Sequence, residues 1–452
     1  VGELFGTDGI RGAANRYPLD CETVVKIGRA IAECFAGEKQ QEAGRFLIGQ
    51  DTRLSGNMLV GALAAGICSM GSDVHLAGVI PTPGVAYLTQ TMAFDAGIVV
   101  SASHNPYADN GVKIFKGDGF KLSDTAEAAI ERLIENEAEL SEKSGKIDRV
   151  GTIQRVDDAH ETYRRFLTGC LSTDISLDGL RLVIDCSNGA ASRIAPELFR
   201  NLGATATAIF CTPDGVNINR DCGSQHPEML AKFVVTEKAD LGLAFDGDAD
   251  RLIVVDEKGT VLSGDQVMAI CTKYLQSMGR LVNPVVVTTV MSNMGFGLAL
   301  KRMGLTHIKA RVGDRYVMEE MVKAGAVLGG ENSGHMIFLD HHTTGDGMLA
   351  ALQLIEAMRS SGKPVSEMAS VMTVFPQCLI NVDVRDKPPI EMLDKVNREI
   401  EKVEDILGEN GRVLVRYSGT QPQCRVMVEG PAREETDALC RQIASVVQDE
   451  LG

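Results

Sequence analysis

The chain has 452 residues, a formal net charge of −16, 44% hydrophobic and 23% charged residues. That length is too great for one hydrophobic core and predicts three or four domains, with the ordinary composition of a soluble globular protein. The acidic balance argues against nucleic acid as a partner, although local cations can still hold an anionic substrate; no apolar run reaches the roughly 18 residues that span a bilayer, so no membrane partner is expected.

The chain does not start with Met, so it is expected to begin late or to be processed, and its first residues lack the basic-then-apolar pattern of a secretory signal. Phe5-Gly6-Thr7-Asp8-Gly9-Ile10-Arg11-Gly12 reads as a glycine-rich loop that lets a ligand approach the backbone, with Arg11 able to fork onto a phosphate or carboxylate. A strand at 46–49, a polar loop at 51–56, a helix from Asn57 to Met70, a capping Gly71 and a strand at 73–76 follow. The pattern returns as a strand at 180–184, a helix at 190–202, Gly203 and a strand at 206–210. It returns again as a strand at 284–289, a helix to Met303, Gly304 and a strand at 306–312. The copies lie too far apart for a solenoid and predict three related α/β domains in series.

Between the first two copies, Ala96 to Val100 is a small, apolar, β-branched strand that breaks into Ser101-Ala102-Ser103-His104-Asn105-Pro106. Asn-Pro forces a turn, Asp109-Asn110-Gly111 turns the chain back, and a strand continues through Lys113 to Phe115. The hairpin-like unit presents two hydroxyls, the His104 imidazole and the Lys113 ammonium at the end of a buried strand, a common ligand position in open α/β sheets. After the second copy, Asp246-Gly247-Asp248-Ala249-Asp250-Arg251 sits between two apolar strands. Three carboxylates so close repel one another unless a cation neutralises them, and hard oxygen donors suit Mg2+ or Ca2+. An EF-hand is excluded because Arg251 stands at its glycine position and the flanks are strands. Ala326-Val327-Leu328 reads as a strand, and Gly329-Gly330-Glu331 after it is open to two readings, a plain turn or part of a functional loop. His341-His342 reads as a surface pair and not a metal site.

The last part differs. A strand at 379–384, a helix from Glu391 to Leu407, strands at 412–417 and 424–429 and a helix from Glu434 to Glu450 predict a small α+β domain. The fold class expected is therefore α/β, with three related mixed-sheet domains at 1–155, 156–255 and 256–372 and a smaller α+β domain at 373–452. Eleven cysteines without a CxxC pair fit a reducing, cytoplasmic setting.

A serine hydroxyl is a weak nucleophile, but a serine already carrying phosphate is a natural extra ligand for a divalent ion held by three carboxylates. An aspartyl-phosphate hydrolase using Asp246 as nucleophile stays open, as does a non-catalytic sugar-phosphate sensor.

The chain resembles the α-D-phosphohexomutase family along its whole length. The resemblance is carried by residues 5–12, Ser-Ala-Ser-His-Asn-Pro (101–106), Asp-Asn-Gly-Val-Lys (109–113) and residues 217–227. Asp-Gly-Asp-Ala-Asp-Arg (246–251), Gly-Gly-Glu-Asn-Ser-Gly-His (329–335), residues 343–347 and Arg-Tyr-Ser-Gly-Thr-Gln-Pro (416–422) continue it. It implies four domains around a central cleft, a phosphorylated Ser103, and one Mg2+ per subunit on Ser103, Asp246, Asp248 and Asp250. It further implies His104, Lys113, Arg11 and His335 as catalytic-site groups, and Glu331, Asn332, Ser333 and Arg251 as sugar-binding residues. Arg416, Ser418, Gly419, Thr420 and Arg425 are implied as the site of the non-transferring phosphate. The implied reaction interconverts glucosamine 6-phosphate and glucosamine 1-phosphate through glucosamine 1,6-bisphosphate, which also acts as activator, and supplies UDP-N-acetylglucosamine and cell-wall precursors. Glucose and mannose phosphates are the alternative substrates. A homodimer, and first phosphorylation of Ser103 by a kinase or by itself, are expectations from the same source. Gln421 stands where the family usually has Glu, Asn332 where the glucosamine enzymes usually carry Gln, and Ala249 where Gly is common.

Overall fold

Three short apolar strands start the three α/β repeats, and the sheets assemble around them. In the computed structural model, residues 4–6, 8–36, 43–144, 148–173, 175–418 and 422–452 are described. The first sheet holds β1 (Phe5–Gly6), β2 (Gly9–Ala13), β3 (Arg45–Gln50), β4 (Asp73–Val79), β5 (Ala96–Val100), β6 (Asp109–Lys116) and β7 (Ile153–Arg155) in the order β1-β2-β6-β5-β3-β4-β7. The second holds β8 (Arg181–Asp185), β9 (Thr205–Ile209), β10 (Leu241–Phe245), β11 (Leu252–Asp256) and β12 (Val261–Leu262) in the order β12-β11-β10-β8-β9. The third holds β13 (Val285–Thr289), β14 (Thr306–Ala310), β15 (Leu328–Gly330) and β16 (Met336–Phe338) in the order β14-β13-β15-β16.

The repeat is visible in the pairing. In each sheet a first strand (β3, β8, β13) lies parallel between the second (β4, β9, β14) and the third (β5, β10, β15). The third strand then pairs antiparallel with the next one, β6, β11 or β16. Gly71, Gly203 and Gly304 follow the crossover helices with φ of +77°, +102° and +72°, the left-handed residue that ends a helix and that a side chain disfavours. β5, β10, β11 and β13 are buried throughout, which explains why they read as continuous apolar runs and not as alternation.

The described chain falls into two compact units: Val1–Met291 with Thr306–Ser370, and Ser292–Leu305 with Val371–Gly452. In the second unit, β17 (Gln377–Asp383), β18 (Arg412–Tyr417) and β19 (Gln423–Glu429) form an antiparallel sheet in the order β17-β19-β18. Helices Asp394–Leu407 and Arg433–Leu451 pack on it around a core that includes Val396, Val403, Val426, Ile443 and Val447.

Three local readings change. The glycine-rich stretch at the start is a hairpin, β1 on β2, joined to β6; a Cβ on Gly9 would lie 2.4 Å from the Val112 carbonyl oxygen, so that glycine serves strand packing. Gly329 and Gly330 belong to β15, and the turn lies at 331–335. His342 is buried, not a surface residue: its Nε2 lies 2.9 Å from the Pro83 carbonyl and its ring meets Tyr87 and Phe166. Burial lowers its pKa to about 4, so it is neutral.

Candidate active site

The equivalent antiparallel hairpin of each sheet supplies one loop of the site: 101–108 between β5 and β6, 246–251 between β10 and β11, and 331–335 between β15 and β16. In the first, Ser103 is held at φ +52°, a conformation costing an L-residue about 1–2 kcal/mol and needing outside support. The support is present. Its amide donates to Ser101 Oγ (3.0 Å), whose hydroxyl donates to Asp51 (2.5 Å). The Ser103 carbonyl accepts from Arg53 (3.2 Å) and Asn219 (2.9 Å), and the Asn105 carbonyl from the same two side chains (2.6 and 2.9 Å). Arg53 is itself paired with Asp51. Ser101 is therefore engaged in holding the loop, and the Ser103 hydroxyl is the one of the two that meets the aspartate triad.

The Ser103 hydroxyl donates to Asp246 Oδ2 at 2.5 Å and lies 3.2 Å from His104 Nδ1. The two loops approach this closely because residue 247 is glycine: a Cβ there would lie 2.5 Å from the Ser103 carbonyl oxygen. Asp246, Asp248 and Asp250 are buried, and each offers a carboxylate oxygen within 4.8 Å of the others. This triad can bind a metal ion. Asp248 Oδ1 and Asp250 Oδ1 are buried with no hydrogen-bond partner among the described residues, which is the state expected of ligand atoms for a hard cation. Burial, then the charges of Asp250 and Asp248, push the Asp246 carboxyl well above its usual range. Burial works against Asp248 as well, but the Lys113 ammonium and a bond from Thr82 hold it low.

Lys113 lies in the middle of this charge. It is 2% exposed, with Nζ 2.9 Å from Asp248, 3.4 Å from Asp250 and 3.0 Å from Asp8. Burial opposes its charge, yet the three carboxylates raise its pKa well above the ordinary lysine value. Arg11 pairs with Asp8 at 2.5 Å and reaches the Ala102 carbonyl at 3.5 Å. Burial, followed by the charges of Arg251 and Arg11, lowers His104 to about 4, so His104 is a neutral hydrogen-bonding group near pH 7.

The third loop is pinned to the metal loop. Arg251 and His335 form an antiparallel bridge, and Leu252 N donates to Gly334 O at 3.0 Å. Glu331 accepts from Gly313 N at 3.0 Å and from Ser333 Oγ at 3.4 Å, and the Asn332 carbonyl accepts from Gly264 N at 3.0 Å. The first unit thus brings together Ser103, His104, Lys113, Arg11, the three aspartates, Arg251, Glu331, Asn332, Ser333 and His335.

In the second unit, Arg416 and Arg425 are directly opposed across β18 and β19. Arg425 reaches Ser418 Oγ at 3.5 Å, and Lys387 Nζ donates to the Ser418 carbonyl at 2.7 Å. Two guanidiniums on opposed positions repel, and burial together with Arg425 lowers the Arg416 pKa. An anion would relieve that repulsion. Gly419, Thr420 and Gln421 lie outside the described residues.

Sequence reasoning assigned no role to Asp8, Asp51, Arg53, Thr82, Lys121, Asn219, Asp314 or Lys387. Asp8 and Asn219 stand inside motifs already singled out. The others act through partners far along the chain, as Thr82 does on Asp248 (2.6 Å), and no spacing announces such a contact.

Models of the four domains of phosphoglucomutase/phosphomannomutase match the chain: α/β/α domain I at residues 2–141, domain II at 161–259, domain III at 263–375 and the C-terminal domain at 379–446. The chain belongs to that family. It is an isomerase, a phosphohexomutase. Phosphoglucosamine mutases of Syntrophus aciditrophicus and Syntrophobacter fumaroxidans are 55% and 54% identical to it, in each case over all of both chains. Among solved structures, a putative phosphomannomutase from Thermus thermophilus superposes with a TM-score of 0.79 at 22% identity, covering 98% of each chain. Aspergillus fumigatus N-acetylphosphoglucosamine mutase in complex with GlcNAc-6P and magnesium superposes with a TM-score of 0.64 at 14% identity, covering 99% of this chain and 95% of that one. These two likenesses concern the fold.

Proposed function

We propose that the protein interconverts glucosamine 6-phosphate and glucosamine 1-phosphate, with Ser103 as the residue that carries the phosphoryl group between turnovers. The observation that carries this reading is the Ser103 hydroxyl, buried and 2.5 Å from a carboxylate of the aspartate triad. The choice of amino sugar is supported by relatives of 50–55% identity that bear that activity in their names.

Ser103, Asp246, Asp248 and Asp250 would hold Mg2+, which when bound draws charge from the phosphoryl oxygens. The sugar's O1 attacks the phosphorus of phosphorylated Ser103 and gives its proton to His335. The O1–P bond forms as the Ser103 Oγ–P bond breaks, and the serine oxygen leaves with the electron pair, its charge balanced by Lys113. The resulting 1,6-bisphosphate turns end for end. The serine oxygen then takes the phosphoryl group from O6, which recovers the proton from His335. Glu331, Asn332, Ser333 and Arg251 grip the sugar, and Arg416, Ser418, Gly419, Thr420 and Arg425, with Lys387, hold the phosphate that does not move. The opposed arginines suit a site that must accept a phosphate at either end of the sugar. The eleven free thiols support a reducing, cytoplasmic setting.

The aspartyl-phosphate hydrolase is disfavoured because Asp246 is engaged at both oxygens, by Ser103 and by the Arg251 amide (3.2 Å). The test compares kcat/KM for glucosamine, glucose and mannose phosphates and maps the phosphorylated residue by mass spectrometry. Expected are a preference for glucosamine phosphate, phosphate on Ser103, and no turnover by Ser103→Ala with sugar-phosphate binding retained. Full mutase activity in that variant, or phosphate found on Asp246, overturns the reading.

A further inference from the structure

Asp314 opens the helix Asp314–Ala324, and three contacts meet on its carboxylate. Oδ1 accepts from the Arg315 amide at 2.8 Å, Oδ2 pairs with Lys121 Nζ, and the same Oδ2 lies 3.4 Å from His335 Nε2. Lys121 Nζ also lies 2.5 Å from Asp8 Oδ1, and Asp8 Oδ2 leads on to Arg11 (2.5 Å) and Lys113 (3.0 Å). A single run of alternating charges therefore joins His335 to the cations beside the aspartate triad. The same helical turn is tied to the first domain a second time, because Arg315 pairs with Asp124 and Glu127.

His335 is 2% exposed, and neither ring nitrogen has a hydrogen-bond partner among the described residues. The ring fits only because residue 345 is glycine: a Cβ there would lie 2.4–2.6 Å from Nε2, Cε1 and Cδ2. A neutral imidazole carries its proton on one nitrogen and a lone pair on the other. A lone pair on Nε2 would face the Asp314 oxygen; a proton there is attracted to it. A carboxylate beside one ring nitrogen favours the proton there and so leaves the lone pair on the other.

We propose that Asp314 is a positioning residue for the phosphoryl transfer: it keeps the His335 proton on Nε2 and so leaves the Nδ1 lone pair to accept the proton of the attacking sugar hydroxyl. The proton returns from Nδ1 to the sugar oxygen that leaves in the second half-reaction, so none is gained or lost over a turnover. This inference rests on the mutase reading above. Lys121 acts behind Asp314, holding the carboxylate in place and balancing its charge.

The experiment is a double-mutant cycle on the full-length, phosphorylated enzyme, with kcat and KM measured for each variant. Asp314→Asn is expected to lower kcat about ten- to hundred-fold with KM within about twofold. In a His335→Gln background the same change is expected to cost nothing more. Additive losses, or a loss confined to KM, would overturn the inference and leave the mutase reading standing. A wild-type enzyme inactive on every hexose phosphate overturns both. A measurement independent of the variant's folding is the 15N spectrum of the wild-type histidines: the resonance missing from His335→Gln should be that of an Nε2–H tautomer, and an Nδ1–H tautomer there overturns the inference.

Discussion

Replacing Arg416 with Met should improve the stability of the second unit and damage catalysis in the same stroke. The two guanidiniums stand opposite each other on β18 and β19, both half-buried. Charges about 6 Å apart repel by roughly 0.7 kcal/mol at the dielectric of water and roughly 3 kcal/mol at an effective dielectric of 20. Met keeps the aliphatic stem over the sheet, so the free protein is expected to gain about 1 kcal/mol locally, the scale measured for cross-strand charge pairs. Hydrogen exchange reads this directly, as about fivefold slower opening of the β18 and β19 amides. Binding moves the other way. A charge-assisted hydrogen bond to phosphate contributes about 1.5–3 kcal/mol, so KM for the sugar phosphate should rise about ten- to hundred-fold with kcat changed much less. Faster exchange in β18 and β19 together with an unchanged KM would refute the argument, because it would mean that the arginine pair is structural and that no anion is needed between them.

Lys113→Met leaves the buried carboxylates of Asp248 and Asp250 without their shared cation, and the cost of removing one partner from a buried charge cluster is about 3–5 kcal/mol; chemical denaturation without divalent ions should show it, and added Mg2+ should recover only part. Asp346 caps the helix Gly347–Ser361 through Oδ1, accepting from the Met348 and Leu349 amides (both 3.0 Å), and accepts from the Tyr163 hydroxyl (2.7 Å). Burial raises its pKa from 3.8 to about 6. A carboxyl with a raised folded pKa contributes stability at pH values below its unfolded pKa and loses it as pH rises through the folded one. Asp346→Asn keeps the capping oxygen without the charge, so it should match wild type in stability near pH 4 and exceed it above pH 6, by up to about 3 kcal/mol; a pH-independent difference would contradict this. Gly345→Ala should cut kcat sharply while circular dichroism stays unchanged, because the new methyl group displaces the His335 ring; an active Gly345→Ala enzyme would show that the ring does not need its present position.

The fold could be read where local chemistry repeats. Strand, helix, capping glycine and parallel strand recur three times because the crossover imposes that order on any sequence, and β3–β4, β8–β9 and β13–β14 follow it. The aspartate triad was legible because mutual repulsion makes an unmetallated Asp-x-Asp-x-Asp between buried strands improbable. The limits were set by contacts that carry no local signature. Gly329-Gly330-Glu331 left a plain turn open, yet the two glycines lie in β15, where their missing side chains let the strand approach Met321 and the His335 carbonyl. His341-His342 looked like a polar surface pair, whereas one ring found a carbonyl in the core. Asp314 and Lys121 meet from places 193 residues apart, and only the fold brings them together.

The three loops of the candidate site occupy one topological address, the reversal after the third strand, in three successive copies of the same module. Three copies of one turn can carry different side chains: one presents Ser103, one the aspartate triad, and one Glu331, Asn332 and Ser333. Because each reversal is anchored at both ends by an antiparallel strand pair, its residues can change without disturbing the parallel layer beneath. The scaffold thereby separates the layer that fixes the fold from the turns that are free to vary.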